Sequence, residues 1–209
     1  MLPIIVGDNA HLRQGQATTN VAQRLPDPQS DFALQSLKDS YLFDFLTLEE
    51  PFHERELETG LLRHVEKFLL ELGQGFAFLG RQYHLILEDR DFYMDLLFCH
   101  VRLRCYVMID LKRGELRPEY AGEMNFYCSL VDDQLSHADD TPAIGLILCQ
   151  QLNRILVEYA VCGMDKPIGV SCFELTRAIP QTLESALLSI EQIEAELSLD
   201  LAYSDQQLI

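Results

Sequence analysis

Three strand-like runs crowd together between Phe76 and Leu111, and this crowding limits the folds open to the chain more than any other feature. They are Phe76 to Leu87, Phe92 to His100 and Leu103 to Leu111, parted by the polar turn Glu88-Asp89-Arg90-Asp91 and by the short basic link Val101-Arg102. Connections this short join antiparallel neighbours, because a parallel return needs a dozen or more residues. The runs therefore predict a meander. Before it, Leu57, Leu61, Val65, Phe68, Leu69 and Leu72 recur at three- and four-residue steps, which predicts one amphipathic helix from His53 to Leu72, stopped by Gly73 and Gly75. After it come a helix over Pro118 to Asp132, a buried strand over Ala143 to Cys149, a helix over Asn153 to Cys162, a strand over Ile168 to Phe173 and a closing helix over Thr182 to Leu199. That order is an α/β fold, a mixed central β-sheet flanked by α-helices.

With 209 residues, 48% of them hydrophobic, there is enough apolar chain for one domain of ordinary size and too little for two. Residues 1–40 mix Gly, Gln, Asn, Thr and Pro without a sustained period and read as an extension or linker outside the core; 41–200 read as the domain and 201–209 as a tail. No stretch approaches about 18 uninterrupted apolar residues, and the apolar start Met1 to Gly7 lacks the basic flank of a signal peptide. No membrane association is expected. The six cysteines show neither a C-x-x-C pair nor a zinc spacing, and His64, His84, His100 and His137 show no ligand spacing. Reduced thiols used as small hydrophobes fit a cytoplasmic protein. The formal charge of −17 predicts a weak grip on nucleic acid from this piece alone. Part of that excess lies in the acidic segment beyond Arg177, whereas Arg81, Arg90, Arg102, Arg104, Lys112, Arg113 and Arg117 concentrate in the middle.

The chemistry concentrates where the third run ends, in Ile109-Asp110-Leu111-Lys112. Alternation along a strand puts Asp110 and Lys112 on one face and Leu111 on the other. The preceding run carries Asp95 inside Phe92-Tyr93-Met94-Asp95-Leu96-Leu97-Phe98, and pairing of the two strands would bring its carboxylate to the same spot. A charge in so apolar a run costs several kcal/mol if unpaired, on the order of a buried unsatisfied polar group. Two carboxylates and the backbone carbonyl of Leu111 suit magnesium or manganese, leaving positions for a phosphate oxygen and a water. Lys112 can then orient or deprotonate that water, or stabilise charge on phosphorus.

These residues sit in an ordered series of blocks: Glu54-Arg55-Glu56-Leu57-Glu58, Gly80-Arg81-Gln82, Asp110-Leu111-Lys112, Tyr120-Ala121-Gly122 with Met124-Asn125-Phe126-Tyr127, Ile144-Gly145-Leu146-Ile147-Leu148-Cys149, and Lys166-Pro167-Ile168-Gly169-Val170. Over roughly residues 25 to 200 the series resembles the C-terminal nuclease domain of the bacterial YhcG-type PD-(D/E)xK family. The resemblance implies a restriction-endonuclease-like core of αβββαβ type, dependence on Mg2+ or Mn2+, and DNA as substrate, in repair, restriction or defence against mobile elements. It makes Asp95 and Asp110 the acidic metal ligands, Lys112 the catalytic lysine and Glu58 the first-helix glutamate, with Glu56 and Glu66 as rivals; Gln82 becomes a candidate contact to the scissile phosphate or its water. Asp110 stands where the family more often has Glu, and Glu123 where Lys is expected. Full-length members carry an N-terminal domain thought to contribute DNA binding, which has no counterpart in this chain. A homodimer would supply two sites for two strands. The rival expectation is a catalytically degraded nuclease-fold module that binds DNA or protein. Plainer roles stand beside these: Asp110 and Lys112 as an exposed ion pair, Gln82 and, with the same ambiguity, Arg81 as polar residues of a half-exposed strand, Phe126 and Tyr127 as packing where Asn125 and Tyr127 could contact DNA, and the stripe from Leu187 to Leu197 as core or partner contact.

Overall fold

The computed structural model describes residues 17–46, 48 and 52–175. Alternation and closely spaced turns produce the predicted meander: β3 (Phe76–Leu87), β4 (Arg90–His100) and β5 (Cys105–Glu115) pair antiparallel in succession. From β5 the chain turns parallel. β6 (Ile144–Gln151) lies beside β5, and β7 (Ile168–Leu175) beside β6, each reached through a helix: α5 (Pro118–Gln134) and α6 (Arg154–Val161). Pro118 at the first turn of α5 gives up no hydrogen bond there. The Asn153 side chain caps α6 by accepting from the Leu156 N–H at 3.2 Å.

The helix predicted over 53–72 divides into α3 (Glu54–Arg63) and α4 (Val65–Leu72), because His64 leaves helical geometry at φ −118°, ψ 38°. The His53 N–H donates to Glu56 Oε2 at 2.8 Å and fixes the start of α3. Gly73, at φ +109°, ends α4 in a conformation that side chains disfavour.

Two apolar layers sandwich the sheet. Leu57, Leu61, Phe68 and Leu72 from α3 and α4 pack on Leu96, Phe98, Ile109 and Leu111. Met124, Cys128 and Val131 of α5, with Val157 and Val161 of α6, pack on Leu97, Met108, Ile147 and Val170 on the other face. Gly145 in β6 is what lets α5 approach: a Cβ there would lie 2.2 Å from Met124 Cγ.

Residues 17–40 differ from the expectation that they stand outside the core. β1 (Thr18–Thr19) pairs antiparallel and β2 (Ser40–Phe43) parallel with β7; α1 (Val21–Arg24) and α2 (Gln29–Ser36) lie between them in sequence. Val21, Ala33, Leu37 and Tyr41 are buried in the first layer. The buried Asn20 holds this segment down: its Nδ2 donates to the carbonyls of Val161, Met164 and Lys166 at 3.1–3.4 Å, and its Oδ1 accepts from the Ile168 N–H at 2.8 Å. Asn20→Ala is expected to cost about 3 kcal/mol, since it strands buried backbone groups that water cannot reach. A denaturant midpoint within error of the unsubstituted chain would contradict this role.

The helix predicted over 182–199 lies outside the described residues. No helix among the described residues is long and apolar enough to cross a membrane. All six cysteines are free thiols.

Candidate active site

The β4–β5 ladder stops at Leu96 opposite Ile109, and the next residues outward are Asp95 and Asp110. Here the strands part into a fork. The Leu111 N–H donates to Asp95 Oδ2 at 3.0 Å, so a side chain replaces the missing ladder partner. Gln82, on β3, spends the two hydrogens of its amide on Asp95 Oδ1 at 3.1 Å and on Glu58 Oε2 at 2.8 Å. Gln82 occupies the left-handed region at φ +43°, uncommon for a side-chain-bearing residue and a mark of local strain in a strand.

Asp110 is 7% exposed, and its carboxyl comes within hydrogen-bonding reach of Asp95. Its Oδ2 lies 2.9 Å from Lys112 Nζ, a buried ion pair. Burial first, then the hydrogen bond and charge of Asp95, push the Asp110 carboxyl well above the ordinary range, with Lys112 opposing. The pair is therefore not the exposed strand-end contact of the plainer expectation.

Burial alone would lower the Lys112 ammonium; Asp110 above all, with Glu123 and Asp95, more than reverses this and raises it. Its Nζ also lies 3.9 Å from Glu123 Oε2 and 4.8 Å from the centre of the Tyr120 ring. Lys112 is thus held as a cation.

Of the three helix glutamates, Glu58 is the one at the cluster. It is 4% exposed, and burial first, with Asp95 adding, pushes its carboxyl up against the relief given by the Gln82 bond. Glu56 serves the start of α3 and Glu66 is exposed. Leu111 turns its side chain into the core. Arg81 is exposed, near enough to Glu58 to favour its ionised form.

Asn125 is a fastening of the fold: its Oδ1 accepts from the Lys166 N–H at 3.0 Å, while Lys166 Nζ pairs with Asp132 Oδ2 at 2.7 Å. The Tyr127 hydroxyl donates to Glu123 Oε1 at 3.1 Å, and burial with that partner pushes it up to about 12. Sequence reasoning missed Tyr120, and it missed Glu54, whose Oε1 accepts from the Arg113 N–H at 2.8 Å and ties α3 to β5 just past Lys112. The signal for Tyr120 was its place three residues before Glu123, on the same face at the start of the helix that follows the Asp-x-Lys strand.

Among the described residues no group of three or more His, Cys, Asp or Glu side chains closes around one point. The donors at the fork nonetheless suit a hard divalent cation with much of its water retained: two adjoining carboxylates, one of them buried, and no sulfur or imidazole.

Residues 34–188 match the family model described as the YhcG PDDEXK nuclease domain. Over 162 residues the chain is 34% identical to YhcG of Escherichia coli (strain K12), which is named provisionally as a nuclease. That match covers 78% of this chain and 43% of the relative, so the chain spans less than half of its length. Among solved structures, a repair endonuclease from Pyrococcus abyssi aligns at 14% identity over 62% of this chain and 50% of its own, with a TM-score of 0.37. The EndoMS–dsDNA2 complex aligns at 14% over 64% and 48%, with a TM-score of 0.39. Likeness this distant bears no weight beside the family match. The mixed sheet, its helices on both faces and the match across most of its length place the chain in the YhcG family of PDDEXK nuclease domains.

Proposed function

We propose that this domain hydrolyses phosphodiester bonds in DNA as a divalent-metal-dependent endonuclease, with its reactive centre in the β4–β5 fork. The observation that carries the reading is Asp110: a buried carboxylate pressed against a second carboxylate and ion-paired with a lysine. An arrangement that disfavours its own charge when empty is suited to a cation when filled. Asp95, Asp110 and the carbonyl of Leu111 would hold Mg2+ or Mn2+. When bound, such an ion supplies Lewis-acid polarisation of a phosphate oxygen and an acidified water.

The chain's own groups do the positioning. Leu111 N–H and the Gln82 amide fix both oxygens of Asp95, and Gln82 ties Glu58 to the same unit. Lys112 Nζ, kept protonated by its acidic neighbours, offsets charge developing on the phosphate oxygens rather than removing a proton from water. Glu58, joined to Asp95 through Gln82, would help orient an attacking water. A cytoplasmic role in repair, restriction or defence fits this chemistry, as does a homodimer presenting two sites to the two strands.

A non-catalytic nuclease-fold module is the second reading, favoured by Glu123, which adds negative charge beside Lys112. Nicking of supercoiled DNA in magnesium or manganese separates the two. Lys112→Ala is expected to slow it on the order of a hundredfold or more. Unchanged cleavage in both Lys112→Ala and Asp95→Ala would refute the site. If no DNA is cut and a divalent ion still raises thermal stability through Asp95, the module reading holds.

A further inference from the structure

Outward from the fork, β3 and β4 continue as an exposed hairpin, and one position on it is built unlike an ordinary strand surface. His84 and Tyr93 are directly paired across the ladder. Their rings stack nearly parallel, with centres 4.8 Å apart and planes 16° apart. His84 Nε2 lies 2.6 Å from Asp91 Oδ1, which fixes the imidazole on the tyrosine. Even so, Tyr93 remains 53% exposed.

The position of this pair matters more than its composition. His84 is two residues from Gln82 on β3 and Tyr93 two residues from Asp95 on β4, a step of about 7 Å along each strand. Met94 and Leu85 turn into the core beneath α5, so the stacked rings project from the opposite face. The β4–β5 ladder ends at Leu96, so no β5 residue is paired opposite Tyr93. On the other side, β3 is the last strand in the sheet order, which leaves His84 at the rim.

A flat, pre-ordered aromatic surface beside a phosphodiester site is complementary to a nucleobase that has left its own stack. Electrostatics point the same way. A chain of net charge −17 gains little from counter-ion release, whereas stacking draws on apolar and π contact and depends little on salt. We infer that the His84–Tyr93 pair is a base platform, holding an unpaired nucleotide next to the bond in the fork and favouring single-stranded or locally opened DNA over continuous duplex. This inference rests on the nuclease reading for the identity of the neighbouring site, but it is testable by binding alone.

The test uses the full chain in calcium, with a 20-nucleotide single strand carrying 2-aminopurine and the same oligonucleotide in a duplex. The chain contains no tryptophan, so the base analogue reports without overlap. Stacking on the platform should quench the probe in the single strand. Tyr93→Leu, which keeps apolar bulk on the hairpin, should abolish the quench and weaken single-strand binding about tenfold while sparing duplex binding. Tyr93→Phe, which keeps the ring, should behave as the unsubstituted chain. No quench with the unsubstituted chain, a quench that survives Tyr93→Leu, or an equal loss of single-strand and duplex binding overturns the platform. Failure of the nuclease reading looks different: no metal-dependent cleavage by the unsubstituted chain, with the Tyr93-dependent quench intact.

Discussion

Asp95→Asn is expected to lower metal-dependent DNA cleavage on the order of a thousandfold, equivalent to about 4 kcal/mol of transition-state stabilisation, while raising the melting temperature of the metal-free chain. Both effects come from the same carboxylate. Asparagine keeps an acceptor for the Leu111 N–H, so the β5 backbone need not move. What disappears is the acceptor for the exposed Gln82 bond and the charge pressing on Asp110, whose carboxyl already sits well above the ordinary range. If the repulsion serves to receive a cation, removing it should stabilise the fold and disable the site, the usual opposition between stability and function. Paired measurements, a thermal melt without divalent ions and single-turnover cleavage with them, check both halves. A variant that is less stable and still active would place the metal elsewhere.

Magnesium or manganese should raise the melting temperature, and the rise should grow with pH. The sign follows from Asp110. Its folded value lies above the ordinary aspartate value of about 3.8, so the folded state binds more protons than the unfolded chain between those two values. Stability drawn from this group is therefore greatest at acidic pH and declines as pH rises from about 3.8 toward the raised folded value. Glu58 is displaced in the same direction, with burial as its main cause. A cation replaces the proton over the same interval, so its stabilising effect is smallest in acid and increases as the carboxyl ionises. At a concentration a hundredfold above Kd the linkage amounts to about 2.7 kcal/mol, roughly 5–10 °C for a domain of this size. The shift should vanish in Asp95→Asn. A metal effect that is independent of pH, or that persists in that variant, would count against the fork as the cation's place.

The elements that position the site were legible in the sequence because each buries a whole face. β3, β4 and β5 announce themselves by dense apolar runs and a polar turn, and the Asp-x-Lys ending of β5 stands out against them. Residues 17–43 were not legible for the opposite reason. β1 and β2 have two and four residues, too few to display a period, and what secures the segment is a polar residue, Asn20, whose four partners lie about 140 residues away. The break at His64 was hidden because Leu61, Val65 and Phe68 carry the apolar stripe straight across it. β5 runs on to Glu115 because Gly114, at φ +82°, turns its N–H to Gln150 Oε1, a contact with no counterpart in the local pattern. At the site, Asp95, Asp110 and Lys112 could be named because strand pairing brings them together. The choice of Glu58 over Glu56 could not be made from helical spacing, because it depends on where β3 places Gln82.

The bare backbone of Gly145 also reaches the chemistry. Met124, which fills the space a Cβ would take, follows Glu123 directly on α5, and the same helix carries Tyr120 beside the Lys112 ammonium. A methyl group introduced into β6 at this point must displace the Met124 side chain, and any shift of α5 that follows would move the acidic and aromatic walls that steady the lysine. The smallest side chain in the interior therefore acts as a spacer that bears on how firmly the charge on the neighbouring strand is gripped.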